Sequence, residues 1–251
     1  MDIRQHFHQP LSLLSWLLYA LACFWLALAL SWRGLAWFDY GYPFWYQVLD
    51  IREHIARYAP ENEEKPGFEQ LPPEQHKRAF AQISRAVHSG GTGLGELAYR
   101  GPDGKPVALL TRDEILHLED VAALLHLGAW ISVFMLLFWL PLALAVKRYS
   151  RPPPGYRLLG AGVPAAIVGA WVLVSGPRAV FYTLHDWLFP PENPWFFYWE
   201  ESLMSTLMKA PYLFGGIAVM ILAGTLALTP LFYYLGLAIP AGRGAEDNRA
   251  A

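Results

Sequence analysis

Four long apolar windows dominate this sequence and restrict it to the folds of membrane proteins. They comprise residues 11–32, 121–146, 158–177 and 211–237. Each approaches or exceeds the roughly 20 apolar residues that a helix needs to cross a hydrocarbon core. Only 16% of the chain is charged, against about 25% in ordinary soluble domains. The windows predict an all-α membrane protein with four transmembrane helices.

The first window could be mistaken for a signal peptide, and the third is short for a transmembrane helix. The first window lacks the small-residue cleavage site of a signal peptide and is longer than the apolar part of one, so we expect a retained helix. The third window is the shortest, but the apolar residues beyond Gly176, Pro177 and Arg178 can extend it.

The distribution of positive charge predicts the orientation of these helices. The linker KRYSRPPPGYR, between the second and third windows, contains four Lys or Arg residues and no acidic residue. Short loops rich in Lys and Arg stay in the cytoplasm, whereas long loops cross the membrane largely regardless of charge. We therefore expect the linker and both termini, which carry Arg4, Arg243 and Arg249, to be cytoplasmic. Residues 33–116 and 178–210 are then extracytoplasmic.

The segment between the first two windows has the patterns of a small, mainly helical extracytoplasmic cap. YQVLDIREHIARYA and PPEQHKRAFAQISRAVHSGG have helical spacing, and the second begins with Pro-Pro-Glu and ends at Gly-Gly. Pro102-Asp103-Gly104 is a turn signal between two short extended pieces, which indicates a hairpin. TRDEILHLEDVAALL then begins with Thr111 as a helix N-cap and leads directly into the second window.

Ionisable residues lie at the outer edge of the second window. Glu114, His117 and Asp120 are three residues apart, so they share one helix face. Ionisable groups at this depth are costly, and they usually find partners or face a polar cavity. The pattern fits a functional site, and it also fits a helix-start cluster favoured by the helix dipole. His126 is out of phase with His117, and we expect it to be buried.

The segment FYTLHDWLFPPENPWFFYWEESL, residues 181–203, contains a second cluster. If the third helix continues through this segment, one stripe of it consists of Arg178, Phe181, Tyr182, His185 and Phe189, flanked by Asp186. The sequence PPENP then breaks the helix, and the Trp and Tyr residues beyond it favour the depth of the lipid headgroups. A belt of aromatic residues at the membrane interface explains the aromatics, but it does not explain His185 and its neighbouring carboxylates.

The two histidines are the side chains best suited to proton transfer. Imidazole has an unperturbed pKa of about 6.5, close to neutrality. On the predicted topology, His117 and His185 lie on the same outer side at a similar depth, so they can face one another.

Other catalytic chemistries have less support in the sequence. A metal ion is conceivable among His117, Asp120, His185, Asp186 and Glu200, but no HExxH or comparable spacing is present, so we predict no metal site. The single cysteine, Cys23, lies within the first window and excludes an intrachain disulfide. The serines near the second cluster lack the context of a nucleophile elbow.

The two histidine blocks resemble those of a known family. TRDEILHLEDVAALL is similar to a block in which an arginine–glutamate pair precedes the histidine. FYTLHDWLFPPENPWFFYWEESL resembles the second block, a Phe-rich helix end carrying His-xxx-Phe followed by a Trp-Phe segment. The order of one span, a long outer segment and three further spans also matches. Over essentially its whole length, the chain resembles the bacterial lipoprotein intramolecular transacylase family.

This resemblance implies an acyl shift on a lipoprotein. The sn-2 acyl chain of a diacylglyceryl-modified N-terminal cysteine moves to the α-amino group of that cysteine, which gives an N-acyl lyso-lipoprotein. The implied partners are the lipoprotein and membrane lipid, the implied location is the bacterial cytoplasmic (inner) membrane, and no cofactor is implied.

The resemblance also implies roles for individual residues. His117 and His185 are the expected catalytic pair: one accepts the proton of the α-ammonium group, and the other donates to the departing glycerol oxygen or steadies the oxyanion. The expected supporting residues are Asp120 and Asp186, which orient the imidazoles, Arg178 or Asn193, which polarise the carbonyl, and Tyr182. The expected lipid-binding residues are Phe181, Trp187, Phe189, Trp195 and Phe196.

Two other functions remain open from the residues alone. One is a different lipid acyltransferase or esterase that uses the same histidine pair. The other is a non-enzymatic membrane scaffold whose cap binds a partner. A transporter is disfavoured because the centre of no window carries a clear charged pathway. The formal net charge of −2 does not suggest nucleic acid as a partner.

Overall fold

The computed structural model describes residues 3–148 and 153–240. Within these limits the side chains of residues 3–9, 157–161, 164 and 165 are not described. Several of the arginines on which the predicted orientation depends fall in these gaps. Arg151, Arg243 and Arg249 lie outside the described residues, and the side chains of Arg4 and Arg157 are not described.

Helices form most of the described chain. In chain order they are α1 (Ile3–Trp37), α2 (Tyr42–Val48), α3 (Ile51–Tyr58), α4 (Pro73–His88), α5 (Arg112–Arg148), α6 (Pro154–Ser175), α7 (Pro177–Leu188), α8 (Leu203–Met208) and α9 (Tyr212–Ala238). The strands β1 (Ala98–Arg100) and β2 (Pro106–Ala108) lie between α4 and α5. Short 3-10 turns occupy Asp39–Gly41, Ala59–Glu61, Phe68–Gln70 and Leu94–Glu96.

Three helices of the described chain are long and apolar enough to cross a membrane. They are Pro10–Trp37 within α1, the whole of α5 and the whole of α9. A fourth span is counted only if Ala166–Ser175 and Pro177–Leu188 form one bent span. The predicted all-α membrane fold is confirmed, with this broken element in the place of the third window.

The third helix does not continue straight through His185. The helix breaks at Gly176, and the pieces on either side differ in direction by 109°. Gly176 has φ 79° and ψ 151°, a conformation that residues with a Cβ rarely adopt. Pro177 follows at the first position of α7, where its missing N–H leaves no helical hydrogen bond unmade.

Helix α5 runs without interruption from the cap segment through the second window. Thr111 and Glu114 form a capping box at its start: the Glu114 N–H donates to Thr111 Oγ1 over 3.3 Å, and the Thr111 N–H donates to Glu114 Oε2 over 2.6 Å. Acidic residues lie in its first turn, while Lys147 and Arg148 lie in its last turn. Both ends therefore complement the helix dipole.

The segment between α1 and α5 contains the predicted hairpin and one predicted helix. β1 and β2 pair antiparallel with Tyr99 opposite Val107, so the hairpin around Pro102-Asp103-Gly104 is confirmed. The helix predicted in PPEQHKRAFAQISRAVHSGG is confirmed as α4. YQVLDIREHIARYA is not one helix, because Asp50 has a left-handed φ of 49° and separates α2 from α3.

The chain divides into two compact units. Unit 1 comprises residues 1–32, 129–174 and 221–251. Its described core is a cluster of buried residues, Trp16, Tyr19, Cys23, Ala143 and Val146. The Trp16 indole N–H donates to the Tyr233 hydroxyl over 3.1 Å, which joins α1 to α9 within this unit.

Unit 2 comprises residues 33–128 and 175–220. The buried rings of Tyr42 and Phe80 stack with centroids 4.0 Å apart, and the Tyr42 hydroxyl donates to the Leu207 carbonyl over 2.6 Å. These contacts tie α2 to α4 and α8. All of the candidate site residues lie in unit 2.

Candidate functional site

The two predicted histidines lie next to each other. His117 is in the second turn of α5 and His185 is in the last turn of α7. Their ring centroids are 6.3 Å apart, and the rings are inclined by 26°. The bend at Gly176 does not separate them, because α7 and the start of α5 belong to the same unit.

Aromatic side chains surround this pair. The Phe189 ring lies 4.7 Å from that of His117 and 5.2 Å from that of His185. Phe181 lies 3.9 Å and Trp195 lies 4.9 Å from His185. His117 and Phe189 are each only 8% exposed. Three of the five predicted lipid-contact residues, Phe181, Phe189 and Trp195, therefore contact the imidazoles directly.

The ring of His185 is held by backbone, and not by a carboxylate as we expected. Its Nδ1 lies 2.8 Å from the carbonyl oxygen of Phe181. A carbonyl can only accept a hydrogen bond, so Nδ1 carries the proton in the neutral ring and Nε2 is left as the proton acceptor. Asp186 is exposed on the next position of α7. The hydrogen-bond partner of His185 Nδ1 in this structure is therefore the Phe181 carbonyl, and the orienting role of Asp186 stays a prediction.

His117 keeps an unused polar atom inside this enclosure. Its Nδ1 is buried and has no hydrogen-bond partner among the described residues. A buried polar atom without a partner costs free energy, and such atoms recur at functional sites. Phe197, which the sequence did not single out, also contacts this ring, with centroids 6.0 Å apart.

Two of the predicted supporting residues are bonded to each other. The amide Nδ2 of Asn193 donates to Asp120 Oδ2 over 2.7 Å. Asn193 therefore holds a carboxylate in this structure and does not present its amide to a carbonyl, and Asp120 holds the loop after α7 and not an imidazole nitrogen.

The other supporting residues form a separate contact on α7. Arg178 Nε donates to the Tyr182 hydroxyl over 2.9 Å, and the guanidinium lies 5.3 Å from the centre of the Tyr182 ring. The Tyr182 ring contacts those of Trp195 and Phe196, at 5.7 and 6.0 Å. Trp187 and Phe196, predicted to bind lipid, are 71% and 48% exposed.

Glu114 has a structural role that the sequence did not predict. It is fully buried, and its Oε1 accepts hydrogen bonds from the Ser202 hydroxyl and from the Met204 N–H. The Thr-x-x-Glu spacing at residues 111–114 is a capping-box signal that identifies its local role. Its contacts with Ser202 and Met204 come from a distant part of the chain, and no local pattern indicates them.

His126, expected to be buried, is exposed in this structure. Among the residues that the structure describes, no group of three or more His, Cys, Asp or Glu side chains is arranged to hold a metal ion.

Comparisons with known proteins give a match at the level of structure. No family model matches the sequence, and no curated protein matches it significantly. Solved structures of Lit, the membrane integral lipoprotein intramolecular transacylase from Bacillus cereus, do match. A variant with a histidine-to-arginine substitution aligns with TM-score 0.60 and 15% identity, over 98% of this chain and 96% of that one.

The chain has the Lit fold. A Lit variant with a histidine-to-alanine substitution gives the same TM-score of 0.60 and 15% identity over 99% of this chain and 98% of that chain. A third Lit structure aligns with TM-score 0.59 and 16% identity over 98% of this chain and the whole of that chain. The alignments therefore span nearly the whole of this chain and of the Lit chains.

Proposed function

We propose that this protein is a lipoprotein intramolecular transacylase of the bacterial cytoplasmic membrane. It moves the sn-2 acyl chain of a diacylglyceryl-modified cysteine to the α-amino group of the same cysteine. The observation that supports this proposal most strongly is the pair of imidazoles, 6.3 Å apart within an aromatic enclosure, in a chain with the Lit fold.

The reaction needs proton transfer and little else from the protein. The α-ammonium group, with a pKa near 8, first loses a proton to one imidazole. The free amine attacks the sn-2 ester carbonyl, and the tetrahedral intermediate collapses to an amide. As the amide forms, the attacking nitrogen passes its second proton to the other imidazole, which gives that proton to the departing glycerol oxygen. The first imidazole releases its proton to water, so both rings end as they began and the reaction liberates one proton overall. Amine and ester belong to one molecule, so positioning lowers much of the barrier.

The geometry of the two rings suits this proton transfer. The Phe181 carbonyl fixes the neutral tautomer of His185 with Nε2 unprotonated, ready to accept a proton. The His117 ring faces the same enclosure with a polar nitrogen that has no described partner. Enclosure by aromatic rings excludes water, which favours attack by the amine over hydrolysis of the ester.

The aromatic residues suit the lipid part of such a substrate. Phe181, Phe189 and Trp195 line the imidazoles, while Trp187 and Phe196 are exposed. Aromatic side chains of this kind favour the boundary between headgroups and acyl chains. We place the histidine pair at this boundary on the extracytoplasmic side, where a lipoprotein modified with diacylglyceryl is anchored.

Mass spectrometry of lipoprotein N-termini tests the proposal. In cells that otherwise make diacylglyceryl lipoproteins, expression of the protein is expected to give N-acyl lyso N-termini. His117→Ala and His185→Ala are expected to reduce this product by about a hundredfold or more, the scale of losing a general acid or base. His185→Asn is the sharper variant, because its amide can replace Nδ1–H toward the Phe181 carbonyl but supplies no base.

Two results would count against the proposal. N-termini that remain diacylated in cells with folded wild-type protein would exclude this activity. Release of free fatty acid, with no N-acylation, would identify an esterase that uses the same pair. Membrane fractionation of each variant provides the control for insertion.

A further inference from the structure

The loop that follows α7 is attached to α5 on both sides of His117. We call residues 189–202 the aromatic loop. Glu114 lies three residues before His117 on α5, and Asp120 lies three residues after it. Glu114 binds the end of the loop at Ser202, and Asp120 binds it near its start at Asn193. The two attachments hold Phe189 and Phe197 against the His117 ring.

The attachment at Glu114 is the more stable of the two. The Glu114 side chain is fully buried and accepts hydrogen bonds from Ser202 Oγ, from the Met204 N–H over 2.9 Å and from the Thr111 N–H over 2.6 Å. Ser202 in turn caps α8 by accepting from the Ser205 N–H. Separation of these groups would leave several buried donors and one carboxylate unpaired, which is strongly unfavourable.

The attachment at Asp120 is weaker and accessible. It consists of one hydrogen bond, 2.7 Å long, between side chains that are both half-buried. Water can replace each partner when this bond opens, so its release costs far less than release of the Glu114 end.

Because His117 is buried, the side chains that cover it must move before a substrate can reach the ring. The imidazole is 8% exposed and is covered by Phe189 and Phe197. A lipid headgroup cannot contact this ring while both aromatic side chains cover it. Of the two attachments to α5, the one at Asn193 can open at lower cost. The segment that opens with it extends as far as Phe197, whose carbonyl accepts a hydrogen bond from Ser205 Oγ over 3.1 Å.

We propose that Asn193 is a positioning residue that latches the aromatic loop over His117 through Asp120, and that substrate enters when this latch opens about the Glu114 end. The identity of that substrate rests on the proposed function, whereas the latch is a property of the chain alone. Neither residue acts on the reacting atoms in this account.

Distance measurement between spin labels tests the latch without reference to activity. Labels at Glu192→Cys, on the loop, and Arg78→Cys, on α4, report the loop position in the full-length protein in lipid nanodiscs. Cys23→Ala removes the native thiol. The wild-type loop is expected to give one narrow distance distribution, and Asn193→Ala is expected to add a second, longer population. Loss of one hydrogen bond to a charged group shifts the closed-to-open ratio by about tenfold.

A swapped pair separates the latch from general damage to the loop. Asp120→Asn combined with Asn193→Asp restores an amide–carboxylate bond in the opposite direction, and it is expected to return the narrow distribution. An Asn193→Ala distribution identical to that of the wild type would overturn the proposal, and so would a swapped pair that behaves like Asn193→Ala.

Steady-state kinetics with a diacylglyceryl lipopeptide give a second readout. Asn193→Ala favours the open form, which admits substrate, so KM is expected to fall, while kcat falls because the closed arrangement forms less often. A rise in KM with the fall in kcat would indicate mere structural damage and would overturn the latch. If the wild type transfers no acyl chain, the proposed function fails, while the label distances still decide the latch.

Discussion

At the scale of single residues, the His117 and His185 rings lie 6.3 Å apart, and a backbone carbonyl, that of Phe181, holds the His185 ring. His117 and His185 could be chosen from the sequence because imidazole suits proton transfer. The predicted topology also places both of them at the outer edge of an apolar window. Their partners could not be chosen, because a backbone carbonyl such as that of Phe181 leaves no trace in residue identity. The Asp120–Asn193 bond joins segments far apart in the chain, and local spacing contains no information about it.

His54 provides a prediction at the same scale. It lies in α3, is 6% exposed, and packs against Tyr58 and Trp199 with ring centroids 4.7 and 4.6 Å away. Burial, together with the charges of Lys209 and Arg57, lowers the pKa of His54 to about 4. As the pH falls below about 6.5, the unfolded chain therefore binds a proton before the folded chain does. The stability is complete above that pH and decreases toward pH 4.

We expect the free energy of unfolding to decrease by about 2 kcal/mol between pH 7.5 and pH 5 because of this one group. Thermal unfolding in detergent micelles at the two pH values measures the effect. His54→Gln is expected to reduce the pH dependence by that amount, and Tyr58→Phe, which removes a neighbouring hydroxyl group but no imidazole, is expected to retain it. An unchanged dependence in His54→Gln would contradict the prediction.

At the scale of elements, helices were predictable where apolar periodicity and end signals agree, as in α4 and α5. Their breaks were less predictable. Gly176 and Asp50 interrupt segments with continuous helical patterns, through φ values of 79° and 49°. Glycine permits a positive φ without requiring it, and Asp rarely adopts one. Tertiary contacts decide such cases, so the 109° bend before α7 could not be predicted from the local sequence.

The packing of α9 against α2 gives a prediction for this scale. A Cβ added at Gly216 would lie 2.5 Å from the ring of Trp45, whereas one added at Gly215 would meet nothing within 4 Å. Gly216→Ala is therefore expected to lower the free energy of unfolding by about 1–3 kcal/mol. Gly215→Ala is the matched control, and it is expected to be neutral or slightly stabilising because Ala favours the helix. Equal unfolding temperatures for the two variants would show that Trp45 moves aside without cost.

At the scale of the whole molecule, the apolar windows predicted the class of fold, and the solved Lit structures agree with it over nearly the entire chain. The predicted orientation in the membrane rests on the distribution of Lys and Arg between short loops. This is a statistical rule, and contacts within the chain do not test it. The orientation remains a prediction, and it decides whether the histidine pair can meet a lipid on the extracytoplasmic side.

Labelling of single cysteines tests this orientation. In a Cys23→Ala background, Glu192→Cys is expected to react in intact cells with a maleimide that cannot cross the membrane. Arg148→Cys, at the end of α5, is expected to react only after lysis, because the positively charged linker is predicted to face the cytoplasm. The reverse pattern would place the histidine pair on the cytoplasmic side and remove it from the proposed substrate.

An isotope experiment with purified protein tests the central claim most directly. A lipopeptide whose sn-2 chain is deuterated on the acyl carbons, and whose peptide carries a second isotope label, is mixed with an unlabelled copy. Mass spectrometry of the N-acylated products then shows where each chain went. Our account predicts that the deuterated chain appears only on the labelled peptide, and that His117→Ala and His185→Ala form no N-acyl product. A deuterated chain on the unlabelled peptide, or undiminished transfer by both variants, would contradict it.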